Sequence, residues 1–333
     1  MRERDQLAQE IKSVSSSNFE ALALKVFAYQ ARHNSIYAQF LELLRVQPAE
    51  VRQLTDIPCL PISCFKHHDL RTGGWPADRF FSSSGTTAIT TSQHALRDPD
   101  WYRFHARRAF IQRYGPLNKF AVLALLPAYL ERQGSSLVFM ADDFIQQSDH
   151  PASGFYLHDY DELLSNMQDL MEAQQAVLLL GVSFALLDLS ELTDWQGLRL
   201  PAGSIVMETG GMKGRRRELT REELHQRIQL AFPEQPIHSE YGMTELLSQA
   251  YAPQAGRFLP APSMQVFCRE LSDPLSLLQA GRSGALNCID LANLDTISFV
   301  ATDDLAKVYA DGSFEVLGRM DHSDTRGCNL LYT

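Results

Sequence analysis

The sequence contains no apolar run near the roughly 20 residues that a membrane-crossing helix needs. Its longest runs, Phe120–Pro127 and Ala176–Leu187, suit buried strands. The opening Met1-Arg-Glu-Arg-Asp-Gln lacks the apolar core of a secretory signal, so a cytoplasmic location is expected. Cysteine is sparse: five residues, at 59, 64, 268, 288 and 328, odd in number and without a CxxC pair. That excludes a zinc ribbon and argues against a disulfide framework. Positive charge is short, and a formal net charge of −10 speaks against general nucleic-acid binding. The local exception, Lys213-Gly-Arg-Arg-Arg217, reads equally as a solvated helix entrance or as an anion contact. There is no GxxxxGK[ST], which disfavours a kinase or ATPase of the Walker type. Internal repeats and low-complexity stretches are absent too.

What is present is an ordinary globular composition, 45% hydrophobic and 21% charged over 333 residues, enough for a large core. Residues 4–47 read as helices, with Ser17-Asn18 as a cap. Ile57-Pro-Cys-Leu-Pro-Ile-Ser-Cys-Phe-Lys66 is expected to run extended, because its two prolines forbid a regular helix. Short apolar runs then alternate with amphipathic patterns. Phe120–Leu126, Ala176–Leu180 and 204–208 read as strands, and Ser135–Gln147, Phe184–Leu192 and Thr220–Phe232 as helices. This alternation predicts an α/β fold with mostly parallel sheets. Beyond Phe258 the pattern turns to short strands at Gly281–Ile289, Thr296–Ala301, Lys307–Tyr309 and Phe314–Leu317, with Asp311-Gly312 as a hairpin turn.

Two motifs carry chemistry. Ser82-Ser-Ser-Gly-Thr-Thr87 is a hydroxyl-rich loop whose backbone N–H groups could follow a triphosphate around Gly85. His238-Ser-Glu-Tyr-Gly-Met-Thr-Glu245 offers a ring for adenine, a turn glycine, a hydroxyl and a carboxylate suited to Mg²⁺. Taken singly, each has an ordinary reading. Glu245 suits the first turn of a helix, Asp303-Asp304 suits a turn, and Arg319 suits a surface ion pair. His67-His68 shows no third metal ligand.

In order, Ser83–Thr87, Tyr241–Glu245, Thr302–Asp304 and Gly318-Arg-Met-Asp321 resemble the core motifs of the adenylate-forming superfamily of acyl-CoA synthetases and luciferase. The segment 57–66 and Arg326-Gly-Cys-Asn-Leu330 are similar, more narrowly, to the acyl-protein synthetase family of bacterial bioluminescence. The resemblance implies a fold like the N-terminal domain of adenylate-forming enzymes. Residues 1–75 would form a helical segment and proline-rich lead-in, 76–257 an α/β nucleotide-binding core, and 258–333 a β-rich part of the same catalytic unit. It implies ATP and Mg²⁺ as cofactors. Ser83, Ser84, Gly85, Thr86 and Thr87 would cradle the phosphates, with Gly210, Gly211 and Met212 beside the adenine and Tyr241 stacked on it. Thr244 would meet the α-phosphate or acyl carboxylate, Glu245 would ligate Mg²⁺, and Asp304 and Arg319 would hold the ribose.

The sequence departs from the superfamily at three places. No proline-lysine pair follows the phosphate loop, leaving pyrophosphate to Mg²⁺ and to Lys213 or Arg215. Asp303 replaces the glycine of the usual TGD, which bears on the local turn. The further C-terminal lobe of acyl-CoA synthetases does not follow, an expectation that favours the acyl-protein synthetase. In that family an enzyme cysteine carries the acyl group, and Cys328 stands at the matching place, with a neighbouring arginine to favour its thiolate. Cys59 and Cys64 read as core residues. The implied partners are a fatty or related carboxylic acid and an acyl-accepting protein such as an acyl reductase. The alternatives are a minimal ligase serving CoA, a carrier-protein thiol or an amine, and a non-catalytic ATP-binding or scaffold relative. Acyl-pocket residues are expected around Phe184, 207–210 and 238–242.

Overall fold

The computed structural model describes residues 2–83, 91–126, 134–157, 159–210 and 219–320. Three helices open it: α1 (Glu3–Lys12), α2 (Phe19–His33) and α3 (Ser35–Leu43). Leu22, Val26, Phe27 and Gln30 recur at helical spacing and form the buried face of α2. Asn18 stands at the N-cap position of α2, but its side chain serves Ser15 N at 2.8 Å and leaves the helix uncapped. The working cap is Asn34, whose Oδ1 accepts from Tyr37 N at 3.0 Å and starts α3. The extended path expected over 57–66 holds only through its first half. After β1 (Leu60–Pro61), residues Cys64–His67 close into the short helix α4, because both prolines lie behind them.

A hairpin of β2 (Arg79–Ser82) and β3 (Gln93–Leu96) follows, then α5 (Pro99–Tyr114). The α/β alternation runs through β4 (Ala121–Leu125), α6 (Ser136–Ser148), β5 (Gly154–Phe155), α7 (Tyr160–Glu172), β6 (Val177–Val182), α8 (Ser183–Ser190), β7 (Ile205–Thr209), α9 (Arg221–Ile228) and β8 (Ile237–Tyr241). Strands β4, β6, β7 and β8 are buried along their whole length, as expected of parallel strands covered on both faces. The remainder is β9 (Ala250–Ala252), β10 (Arg257–Pro260), β11 (Met264–Arg269), β12 (Ser283–Asp290), β13 (Phe299–Val308) and β14 (Phe314–Arg319).

Among the described residues one continuous sheet runs β5-β4-β6-β7-β8-β9-β10-β14-β13-β12-β11, with β1 parallel to β13 beside β14. It is parallel from β5 to β8 and antiparallel from β8 onward. The change of direction occurs at the end of β8, where 242–249 leads back into β9. Two strands expected at Thr296–Ala301 and Lys307–Tyr309 are one: β13 passes through Thr302-Asp-Asp304 without a turn. Asp303 lies outside the positive-φ region, so glycine is not required there. The hairpin expected at Asp311-Gly312 is present, with Gly312 at φ +81° and its N–H on Tyr309 O at 3.0 Å.

Candidate active site

The sheet brings the described motif residues to one place, beyond the carboxyl ends of β7 and β8, where open α/β sheets bind ligands. At the end of β8, Tyr241 donates its hydroxyl to Asp304 Oδ2 at 2.8 Å. Asp304 and Arg319 are partners in the β13–β14 register, and Arg319 Nε reaches Asp304 Oδ1 at 3.2 Å. Three motifs spread over nearly eighty residues therefore meet on one buried carboxylate. The Tyr241 ring is 8% exposed and packs edge-on to Phe314 at 5.3 Å and against Phe258 at 5.7 Å. Burial raises its hydroxyl pKa well above the ordinary value, so it donates.

Glu245 does not open a helix, as one reading of its sequence had it; it sits in a turn closed by Leu246 N on Met243 O at 3.1 Å. Its carboxylate is 8% exposed, and burial pushes its pKa up. It forms no close ion pair among the described residues, although Arg319 and Lys66 lie near enough to oppose the rise. A buried carboxylate in that condition suits a divalent cation. No described group of three or more acidic, histidine or cysteine side chains could hold a metal alone. One protein carboxylate completed by nucleotide phosphates is a usual arrangement for Mg²⁺.

The turn that carries Thr244 and Glu245 is held by residues the motifs did not reveal. His94 on β3 donates from Nδ1 to Thr244 O at 2.9 Å, and its Nε2 accepts from the Thr296 hydroxyl at 2.8 Å. Burial lowers the His94 pKa to about 4, which keeps this neutral tautomer. Asn293 Nδ2 donates to Glu245 O at 2.8 Å. Asp290 accepts from Leu247 N and Ser248 N, both at 2.8 Å, and from Ser248 Oγ at 2.6 Å. The 290s segment is fixed in turn by α2, where Gln30 donates to Asn293 O and Leu294 O at 3.1 Å and accepts from Ser298 N. Asp290 and Asn293 stand out in the sequence only as polar residues between apolar runs, and His94 and Gln30 carry no such signal.

Ser83 closes the neck of the β2–β3 hairpin. Its N–H donates to Ser92 O at 3.1 Å, and its Oγ accepts from Ser92 N at 3.0 Å. The buried Ser92 hydroxyl lies beside the Glu245 carboxylate and helps to hold its pKa down. Ser84, Gly85, Thr86, Thr87, Gly211, Met212, Lys213, Arg215 and Cys328 lie outside the described residues. Gly210 follows β7 at φ +73°, a conformation that favours glycine. Its carbonyl and Glu208 Oε2, the latter at 2.8 Å, both lie within hydrogen-bond reach of Ser183 Oγ and share its single proton. Burial pushes the Glu208 pKa up, but His225 and Arg221, the latter at 3.4 Å, outweigh it and leave the pKa lowered. His238 faces the other side of β8, with Nδ1 3.1 Å from the Tyr114 hydroxyl.

No protein-family model matches the chain, and no curated protein matches it in sequence. Solved structures do match in fold. An ATP-bound chimera, RpMatB-BxBclM B1, superposes with a TM-score of 0.53 at 15% identity, covering 76% of this chain and 49% of its own. A 2-hydroxyisobutyryl-CoA ligase with 2-HIB-AMP gives 0.64 at 12% identity over 94% of this chain and 70% of that one. The O-succinylbenzoate coenzyme A synthetase of Bacillus subtilis, in complex with AMP, gives 0.51 at 16% identity, covering 75% and 50%. The chain spans about half the length of the first of these (49%). No described helix is long and apolar enough to cross a membrane. The chain therefore has the mixed α/β fold of the N-terminal domain of adenylate-forming enzymes, with a helical segment before it and a small β-rich part after it.

Proposed function

We propose that this protein uses ATP to activate a fatty or related carboxylic acid as its acyl-adenylate and passes the acyl group to the thiol of Cys328. The observation that carries the reading is the junction of Tyr241, Asp304 and Arg319 on a fold whose neighbours were solved with ATP, AMP or an acyl-AMP. Asp304 would hold the ribose hydroxyls with Arg319 beside it, and Tyr241 would border the adenine with Gly210, Gly211 and Met212. Ser83, Ser84, Gly85, Thr86 and Thr87 would follow the phosphates. Thr244 would orient the acid carboxylate towards the α-phosphorus. The acid oxygen attacks that phosphorus, and the bond to pyrophosphate breaks. Glu245 would hold Mg²⁺, which when bound supplies charge neutralisation to the phosphates. The Cys328 thiolate then attacks the acyl carbon, and AMP leaves.

The other cysteines support this assignment by their unsuitability. Burial pushes the Cys59 thiol up to about 12, raises Cys64 and Cys268, and holds Cys288 well above its ordinary value. An acyl-accepting protein such as a reductase would take the group onward. A second reading, transfer to coenzyme A, is favoured by fold neighbours that are coenzyme A ligases.

The test is intact mass after incubation with Mg-ATP and a panel of acids, for the parent and Cys328→Ser. A hydroxylamine-labile acyl adduct absent from the variant supports the full reading. Pyrophosphate release without an adduct moves the acceptor outside the chain. Neither product with any acid leaves a non-catalytic scaffold.

A further inference from the structure

The β8 strand turns two faces to two different environments. Ser239 and Tyr241 point towards α9, β10 and β14, whereas His238 and Glu240 point towards α5. On the α5 face the strand register lines up Thr209, Glu240 and Tyr251 across β7, β8 and β9. All three are buried. The Thr209 hydroxyl donates to Glu240 Oε2. Gln249, one residue before β9, donates its amide to the Tyr102 hydroxyl at 3.3 Å. Beyond those bonds the cluster is incomplete: Gln249 Oε1 and the Tyr251 hydroxyl, each on a side chain 2% exposed, have no partner among the described residues.

Unpaired buried polar atoms cost about 1–3 kcal/mol each, so two in one cluster call for an occupant. Gly242 borders the cluster on its solvent side. It is exposed, and a Cβ placed on it would stand 2.4 Å from Glu240 Oε1 and 3.6 Å from Gln249 Cγ. The carboxylate and the amide stem thus converge on the bare face of a glycine that opens the Thr244–Glu245 turn. Gln249 Oε1 is an acceptor, Tyr251 can donate or accept, and Glu240 accepts through a carboxyl oxygen in either protonation state and can also donate when neutral.

We propose that Glu240, Gln249 and Tyr251 recognise a hydrogen-bond-donating substituent, a hydroxyl or an ammonium, on the chain of the acid this site activates. The inference rests on the adenylation reading and narrows its substrate from plain fatty acids to polar-substituted ones. A plain alkyl chain would leave both orphans unpaired. A site built to bond a substrate hydroxyl discriminates strongly against the analogue that lacks it.

The test is ATP–pyrophosphate exchange by the full chain with chain-matched acids: unsubstituted, hydroxylated and amino-substituted at successive carbons. A substituted acid is expected to exceed its unsubstituted match by about 10-fold or more in kcat/KM. Tyr251→Phe should cut that ratio severalfold, read as kcat/KM of the substituted acid over that of its unsubstituted match. The hydroxyl and ammonium arms separate the two donors. Equal rates for matched acids, unaltered by Tyr251→Phe, would mean that water alone serves the orphans and would overturn the proposal. Exchange with no acid at all would overturn the adenylation reading instead. Thermal shift then decides the cluster: stabilisation by a substituted acid, lost in Tyr251→Phe, sustains donor recognition, and no shift with any acid ends it.

Discussion

Replacing Glu240 by glutamine should make the protein more stable above neutral pH and much less so in mild acid. Burial, opposed by the Thr209 hydrogen bond and reinforced by the Glu208 charge, raises the Glu240 pKa to about 7. An unfolded glutamate titrates near 4.3. The folded pKa is the higher one, so Glu240 supports the fold fully below about pH 4.3 and loses that contribution as pH rises through 7. At about 1.4 kcal/mol per pKa unit the loss is on the order of 3 kcal/mol by pH 8. Glutamine keeps the shape and a partner for Thr209 without the charge. With a urea slope of about 3 kcal/mol/M, the variant's midpoint should exceed the parent's by about 1 M at pH 8 and by about a third of that at pH 5. Other groups near neutrality, such as Asp290 at about 6, cancel in the difference between the two proteins. A midpoint difference that is constant from pH 5 to 8 would refute the argument.

Three further predictions come from the same geometry. Asp290→Ala strands the N–H groups of Ser248 and Ala292 and removes one of two partners from Leu247 N and from the Ser248 hydroxyl, which keep Asn293 Oδ1 and Ser263 Oγ. It should cost about 3 kcal/mol in urea unfolding, with Asp290→Asn costing less. Asp304→Ala should weaken nucleotide binding by about 10-fold or more, measured by calorimetry with ATP, while Tyr241→Phe, which removes one hydroxyl from that carboxylate, should weaken it less. Gly242→Ala places a methyl against Glu240 Oε1 and should destabilise by about 1 kcal/mol. In a Glu240→Ala background the same change should cost almost nothing, and a double-mutant cycle reads the coupling directly.

The parts of this molecule that sequence could show are those where one local pattern decides. Strands β4 and β6 are continuous short apolar runs and β7 opens with one, as strands covered on both faces do. The turn at Gly312 carries its own chemistry in two residues. β13 was harder, because Thr302, Asp303 and Asp304 break the apolar pattern where the strand presents side chains to the site, so one strand reads as two. Asn18 looks like a cap by type and position, yet Ser15 competes for its side chain. The His94 bond to Thr244 spans 150 residues, and the Asp290 bonds to the same turn lie more than forty residues apart in sequence. No spacing rule connects such pairs. Only the sheet order does.

The bond between Gln30 and Asn293 has a consequence for how the chain acquires its site. It closes a span of 263 residues, and the pairing of β1 with β13 closes one almost as long. Contacts of that separation form late, because loop closure precedes any gain from them. The parallel half from β4 to β8 can assemble earlier from nearer contacts. The turn bearing Thr244 and Glu245 gains its Asn293 and Thr296 supports only when the helices at the start meet the strands near the end. On a ribosome, a nascent chain with all of 1–260 emerged would hold a formed sheet core but an unsupported turn. Acquisition of nucleotide binding should therefore lag acquisition of protease resistance in the parallel half, and pulse proteolysis during refolding would show the interval.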